Sequence, residues 1–398
     1  MGVNIFETIG TTGLNANKDK HAGFIIKLSD IPVGLVADKV NFLTSINDLK
    51  KIEIFADSTN VDYKLLFYHV DMFFKANPLG VLHLVPTLTF TTDLVDEFED
   101  YIQLVGYTTN EQVSGAPALT ALVNFLQAKR DSLLLEKNHC MQIIVSPGVF
   151  QIDLYTSLPT FEVAGTAEFV GLDLAQDYSD NSLAKEIFDA KNLCGSIGLM
   201  LGIATKNTVK DHIGYRAINT LGRYGINRAI LPTGDKKDVK ELSKTVKQQL
   251  KDKGLIFIEK IETSGDFAYH NARNCTKISS DRLEFNTTRP ENKAKRIIDL
   301  AVTNRVNQDY FTSTGGKLSK IEITSLQNAI VTSLQINMLQ GSFDVFELDY
   351  EDGAIPLDDI YINPDQNVKV TGKIDIVSKL RFKSVVSTIN IYSTINLN

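Results

Sequence analysis

The sequence predicts an α/β fold: a mostly parallel sheet flanked by helices in the N-terminal domain, an α+β C-terminal domain, and extended β-strand arms at the ends. Three observations carry this. Short apolar runs alternate with helically spaced stretches through the first half. The last third changes to two long helical patterns followed by strand-like runs. The final residues follow a period of two with no turn behind them. A β-α-β-α order predicts parallel strands with helices on the sheet faces, because each crossover returns the chain to run in the same direction.

Lys51–Ala56 (KIEIFA), Val81–Pro86 (VLHLVP), Tyr101–Tyr107 (YIQLVGY) and Met141–Ser146 (MQIIVS) are short and apolar. Such runs suit strands buried on both faces. Within Val61–Asn77, residues Leu65, Leu66, Tyr68, His69, Met72 and Phe73 recur at helical spacing. Asn77-Pro78 closes that run, because a residue before proline is pushed out of the α region. Ala116–Lys137 repeats the pattern over about six turns. Asn181–Lys206 reads as one long helix carrying Gly195, Gly198 and Gly202, small residues that let another element come close to its backbone. Gly222–Asp235 reads as a strand between two turns and as a hinge between domains. Val239–Lys253 is an amphipathic, Lys-rich helical pattern with Asp238 as N-cap and Gly254 as C-cap. The strand Leu255–Glu259 follows.

In the last third, Glu291–Val306 is predicted helical, started by Pro290 at a first-turn position. Lys320–Gln340 is a second long helix after a strand. Strands are expected at Ile360–Asn363, at Val368–Ile376 and from Lys379 onward. In that last run Val385, Ile389, Ile391, Ile395 and Leu397 share one parity, and Thr388, Asn390, Tyr392, Thr394 and Asn396 share the other. This is the pattern of a half-buried strand. No turn brings a partner back, so such a strand must pair with an existing sheet edge, in the same chain or in a neighbour.

Composition and motif spacing exclude several functions. A formal charge of −7 over 398 residues disfavours broad nucleic-acid binding. Cys140, Cys194 and Cys275 are odd in number and far apart, so they make no disulfide framework. The first residues lack the pattern of an export signal, and the longest apolar window, Leu193–Ala204, is too short to span a bilayer. A soluble chain made in the cytoplasm is expected. A phosphate loop ending at Lys317 fails because Phe311 and Leu318 stand where glycine and a hydroxyl are needed. A nucleophile elbow at Ser196 fails because Cys194 replaces its first glycine. No dinucleotide-type glycine pattern surrounds Gly222 and Gly225, and the six histidines lack metal-ligand spacing. His69, inside an apolar helical pattern, reads as a core residue. Ser342–Asp365 holds eight acidic residues and no basic one. Leu348 and Tyr350 fall where a calcium loop needs oxygen ligands, so the segment reads as a solvated or partner-facing loop. Lys369, Lys373, Lys379, Arg381 and Lys383 follow it, which suits either complementary self-associating faces or solvated flanks. No catalytic residue, cofactor or metal ligand is expected. The alternative function is an α/β enzyme or small-ligand-binding protein using the crevice at the carboxyl ends of the strands.

Three stretches carry a family resemblance. Tyr68-His69-Val70-Asp71-Met72-Phe73-Phe74-Lys75-Ala76-Asn77-Pro78 with the strand Val81–Val85 is one, and Gly195–Gly214 is the second. The third runs from Gly265-Asp266-Phe267-Ala268-Tyr269 through Asn292-Lys293-Ala294-Lys295-Arg296 to Asp299. Together they resemble tail-sheath proteins of contractile phage tails and contractile injection systems, particularly a Bacteroidetes branch. The chain has no tryptophan, and Arg223–Arg228 stands where better-known phage sheaths carry Trp-Gly-x-Arg-Thr. Phage tail and injection particle therefore both stay open.

The resemblance implies a non-enzymatic structural subunit, stacked as hexameric rings around an inner tube and contracting to drive that tube through a membrane. It implies arms that add strands to neighbouring subunits. The chosen arm residues are Val385, Ile389, Ile391, Ile395 and Leu397, with Val3, Ile5 and Phe6 at the other end. The implied division is residues 1–20 as N-terminal arm, 21–225 as α/β domain, 226–378 as sheath core domain and 379–398 as C-terminal arm. Implied partners are further copies of the chain, the inner tube, and baseplate and terminator or cap proteins, with neither nucleic acid nor membrane insertion. Lys320–Gln340 is the chosen tube-facing helix, through an electrostatic contact.

Overall fold

The computed structural model describes residues 18–99, 101–108, 115–137, 139–147, 155–303, 310–312, 315–339, 348–350, 354–371 and 374–382. In chain order the first strands are β1 (His21–Lys27), β2 (Asn41–Leu43), β3 (Val81–Thr87), β4 (Leu104–Thr108) and β5 (Gln142–Ser146). Next come β6 (Thr166–Ala167), β7 (Val170–Asp173), β8 (Gln176–Asp177), β9 (Ala229–Ile230) and β10 (Leu255–Ile256). The last are β11 (Ile258–Lys260), β12 (Phe267–Tyr269), β13 (Cys275–Thr276), β14 (Ile360–Ile362) and β15 (Ile376–Ser378).

The main sheet has the order β10-β7-β5-β4-β1-β3-β2. Every pairing in it is parallel except β2 with β3, as the alternating sequence pattern requires. Its centre is β4, and next to it, between β4 and β3, runs β1, a strand the sequence reading passes over. Gly23 interrupts its apolar run, and a Cβ there would stand 2.8 Å from the ring of Phe98. The run KIEIFA, by contrast, is not a strand. The helix Ile46–Lys50 enters a turn in which Glu53 has φ +62, and Ile54 N donates to Leu49 O at 3.1 Å. Its isoleucines pack the turn down, with Ile54 fully in the core.

The helices Val61–Ala76 and Ala116–Lys137 match their sequence patterns. Asn60 caps the first by accepting from Asp62 N at 2.8 Å. The single helix expected over Asn181–Lys206 is two. Leu183–Lys191 ends at Asn192, in the left-handed conformation at φ +57, and Ile197–Lys206 begins five residues later. An asparagine adopts that conformation at little cost, and the chain reverses there. The second helix is buried from Ile197 to Thr205 and lies directly against Val61–Ala76. Gly202 makes this possible: a Cβ on it would stand 2.6 Å from Phe73 O, and one on Gly198 would meet the His69 carbonyl still more closely.

The Lys-rich pattern at Val239–Lys253 also divides. Asp238 caps a short turn, Val239–Glu241, and Ser243 caps the helix Lys244–Asp252. Gly254 follows at φ +80. The Leu255–Glu259 run splits between two sheets, as β10 beside β7 and β11 beside β12. Gly222–Asp235 opens with a 3-10 turn, Gly222–Tyr224, and its strand is the two-residue β9, with Ile226, Ala229, Ile230 and Leu231 packed in the core.

That core runs from Ala22 to Phe285. A second gathers Ala294, Ile297, Ile330, Leu334, Leu348 and Ile360, and a small third one holds Leu318, Leu326 and Ile362. The helix Phe285–Thr303 bridges the first two cores, with Phe285 in one and Ala294 and Ile297 in the other. It starts ahead of the predicted Pro290 position and carries that proline inside. The helix Lys320–Leu334 starts at Ser319, whose hydroxyl accepts from Glu322 N at 3.3 Å, and continues as a π turn over Gln335–Leu339. Only a bridge between Thr312 and Leu318 precedes it among the described residues, where a strand was expected. β14 falls on its predicted run. The expected strand Val368–Ile376 is instead the short helix Val368–Thr371 followed by β15, because Asn367 Oδ1 accepts from Val370 N at 3.2 Å and turns the backbone inward.

Candidate functional site

The sequence-chosen arm residues Val3, Ile5, Phe6, Val385, Ile389, Ile391, Ile395 and Leu397 lie outside the described residues. The places where those end segments join the body are described, and they differ in chemistry.

The N-terminal junction is ionic. Asp19 lies 2.7 Å from Lys293 Nζ through one oxygen and 2.7 Å from Arg296 Nη2 through the other, both cations on the bridging helix. All three side chains are nearly buried, at 12%, 6% and 8% exposure. Burial acts to raise the Asp19 carboxyl, but the two cations and their hydrogen bonds outweigh it and hold the pKa below the ordinary carboxylate value. Lys18 covers the ring of Tyr101 at 3.7 Å. Two residues on, His21 Nδ1 lies 3.0 Å from His83 Nε2, so one imidazole donates and the other accepts. Burial first, then the Lys18 charge, lowers His21 to about 4; burial, with His21 and Lys18, lowers His83 to about 3.

The C-terminal junction is strand-like. β14 and β15 pair antiparallel, Lys379 N donates to Asp359 O at 2.8 Å, and Asp349 N donates to Arg381 O at 2.9 Å. A bridge between Leu348 and Phe382 carries the pairing forward to the last described residue. Tyr361 and Val377, one on each strand, are 48% and 51% exposed, so this small sheet presents an uncovered apolar face.

The crevice at the carboxyl ends of the parallel strands is filled by polar groups of the chain itself. Thr87, Thr108, Ser146 and Asp173 are all buried. Asp173 Oδ1 accepts from Ala175 N at 2.9 Å, and Tyr269 donates to Ser196 Oγ at 2.8 Å beside it. Burial pushes the Asp173 carboxyl up to about 7, with the hydrogen bonds from Ala175, Ser146 and Ser196 working against it. Next to it, Tyr68 donates to Asp177 Oδ2 at 2.7 Å, and Ser179 N donates to Asp177 Oδ1 at 2.9 Å. The sequence reading missed this cluster. Its signal was an aspartate closing each of two short segments, VGLD and LAQD, where an apolar strand meets the surface of the sheet. Chemically the cluster orders the strand ends, since its acceptors are occupied and its carboxyl is buried. Among the described residues no group of His, Cys, Asp and Glu is arranged to hold a metal ion.

His69 is in the core, as expected, with its pKa lowered by burial to about 3. The outer side of Lys320–Leu334 lines an open groove through Lys320, Ile321, Thr324, Asn328 and Thr332, with Ile321 79% exposed. No helix among the described residues is long and apolar enough to cross a membrane.

No protein-family model and no curated protein matches the chain. Solved structures do. A chain of the PVC sheath complex of an extracellular contractile injection system, in its contracted state, superposes with TM-score 0.59 at 12% identity, covering 99% of this chain and 98% of that one. A chain of the six-fold symmetrised anti-feeding prophage (AFP) baseplate gives TM-score 0.60 at 14% identity, covering 100% and 99%. The contracted-state AFP baseplate gives 0.52 at 13% identity. The fold is thus a contractile-sheath fold, shared over essentially the full length of both chains. The injection-system chains it superposes on belong to a sheath complex and to baseplates.

Proposed function

We propose that the chain is a structural subunit of a contractile sheath, as the sequence resemblance implied. It stacks as hexameric rings around an inner tube, is linked by terminal strands donated to neighbours, and contracts to drive the tube through a target membrane. It has no catalytic role, is made in the bacterial cytoplasm, and joins inner-tube, baseplate and terminator or cap proteins in a phage tail or an injection particle. The observation that carries this reading is end-to-end agreement with the PVC sheath-complex chain, 99% of one against 98% of the other, at an identity too low for local motifs alone to produce.

The C-terminal junction supports the donated-strand part. A two-stranded antiparallel sheet is marginal by itself. β14 and β15 expose apolar residues on their outward face, and an added strand from another copy supplies both hydrogen bonds and cover. Val385, Ile389, Ile391, Ile395 and Leu397 have the alternating pattern such a strand needs. Main-chain pairing survives rigid rotation of the bodies it connects, provided the linking residues absorb the change in φ and ψ. The groove side of Lys320–Leu334 suits the inner tube. It carries hydroxyls and amides with one lysine, so hydrogen bonding contributes more to that contact than ion pairing.

The test is a truncation lacking Ser384–Asn398. It is expected to stay folded and soluble and to lose the tubes that the full chain forms in negative-stain micrographs. Tubes at full yield from the truncation would overturn the donated-strand assignment.

A further inference from the structure

Away from the junctions, a cleft of about 370 Å³ opens between the helix Lys244–Asp252 and the β11–β12 pair. Glu259 lies on its floor, 5% exposed. It is engaged by Arg216, by His270 Nδ1 at 3.0 Å and by Lys247 at 3.7 Å. Burial works to raise the Glu259 carboxyl, and the His270 and Arg216 contacts overcome it, so this anion is already neutralised by its neighbours. Lys244 and Lys260 also line the cleft, and neither has an anionic partner among the described residues. Arg216 is 57% exposed and keeps donors free beyond the one on Glu259. Four fixed cations thus face two carboxylates, Glu259 and Glu262, in a chain whose overall charge is −7. A concave site of one sign within a molecule of the other focuses the field on incoming charge of the opposite sign.

The opposite surface is present in the same chain. The segment Ser342–Asp365 carries eight acidic residues and no basic one. Within its described part, Asp349 and Asp358 are exposed and have no cationic partner among the described residues. Unpaired lysines on the first core's surface and unpaired aspartates beside the second core are complementary. Two copies of one chain can satisfy both sets in a repeating, head-to-tail contact.

We infer that the Lys244–Lys260 cleft is an interaction surface for the acidic segment 342–365 of a second copy of this chain. This rests on the sheath reading for its biological setting, but its chemistry is independent of tube formation. The cleft's cations take the place of solvent around the aspartates, so the contact weakens as salt screens it.

The experiment measures fluorescence anisotropy of a labelled synthetic peptide of residues 342–365 titrated with the full chain. Binding is expected at low salt and is expected to fall at least about tenfold for the double variant Lys244→Glu, Lys260→Glu, a loss of about 1.4 kcal/mol. Both lysines are partly or fully exposed, so the variant should keep the parent thermal midpoint. A peptide carrying Asp349→Lys and Asp358→Lys is expected to lose binding to the parent and regain it with the double variant. No binding to the parent, or equal binding to parent and variant, overturns the inference. Micrographs of the same proteins separate the two readings: tubes absent from the parent count against the sheath role, while the peptide titration still decides the cleft.

Discussion

At residue scale, two positions are fixed by what surrounds them. Gly198 faces the His69 carbonyl of the neighbouring helix so closely that any Cβ displaces backbone. Gly198→Ala is expected to cost about 1–3 kcal/mol as overpacking, read as a lower urea midpoint with an unchanged slope. Asp19 pairs with both Lys293 and Arg296, and all three are nearly buried. Asp19→Asn leaves two buried cations without it and is expected to cost roughly 3 kcal/mol. The Asp19 carboxyl is held below its unfolded value of 3.8, so its contribution is complete above that pH and is lost as pH falls through the folded value. The same variant should therefore lie close to the parent in strong acid and well below it at neutrality. The glycines at 198 and 202 were legible from the sequence as sites of close approach. Asp19 was not, because its partners lie more than 270 positions away along the chain.

At the scale of elements, the strand ends have the opposite pH behaviour. Asp173 is fully buried and its carboxyl is raised to about 7 from an unfolded 3.8. What its protonated form contributes is complete below the unfolded value and is lost as pH rises through about 7, at up to roughly 1.4 kcal/mol per pH unit. Asp173→Asn keeps an acceptor for Ala175 N and removes the charge. It is expected to raise the urea midpoint at pH 8 and to leave it nearly unchanged at pH 4. Element boundaries show what periodicity can and cannot read. Val61–Ala76 and Ala116–Lys137 were legible because one face of each is buried over several turns. Asn181–Lys206 was misread because both of its helices are apolar on the same spacing, and the break depends on one left-handed asparagine. KIEIFA misled for a related reason: isoleucines two apart fit a strand, yet they also fit a turn pinned onto the core.

For the whole molecule, His21, His69 and His83 act together. Each has a folded pKa below its unfolded 6.5, at about 4, 3 and 3. Their stabilising effect is complete above about 6.5 and is lost as pH falls toward those values. Each contributes up to roughly 1.4 kcal/mol per pH unit, and together they outweigh the opposite trend of Asp173. The urea midpoint is expected to drop steeply between pH 6 and pH 4, and His69→Leu to flatten that drop by about a half. A midpoint independent of pH over that range would show that the histidines take up protons in the folded chain as readily as in the unfolded one. The two main cores share one helix, Phe285–Thr303, and Asp19 is paired to that same helix.

By itself the sequence determined the alternating α/β order, the buried glycine-bearing helix, the lack of any recognised catalytic motif and the charge contrast near the C-terminus. These are local properties, carried by periodicity, spacing and composition. Only the tertiary structure decided that His21–Lys27 is an interior strand of the main sheet, that Asp19 closes onto Lys293 and Arg296, and that an uncompensated basic cleft stands open beside Glu259. Each of those depends on residues far apart in the chain meeting in space. Burial then sets their charge, and no one-dimensional pattern records it.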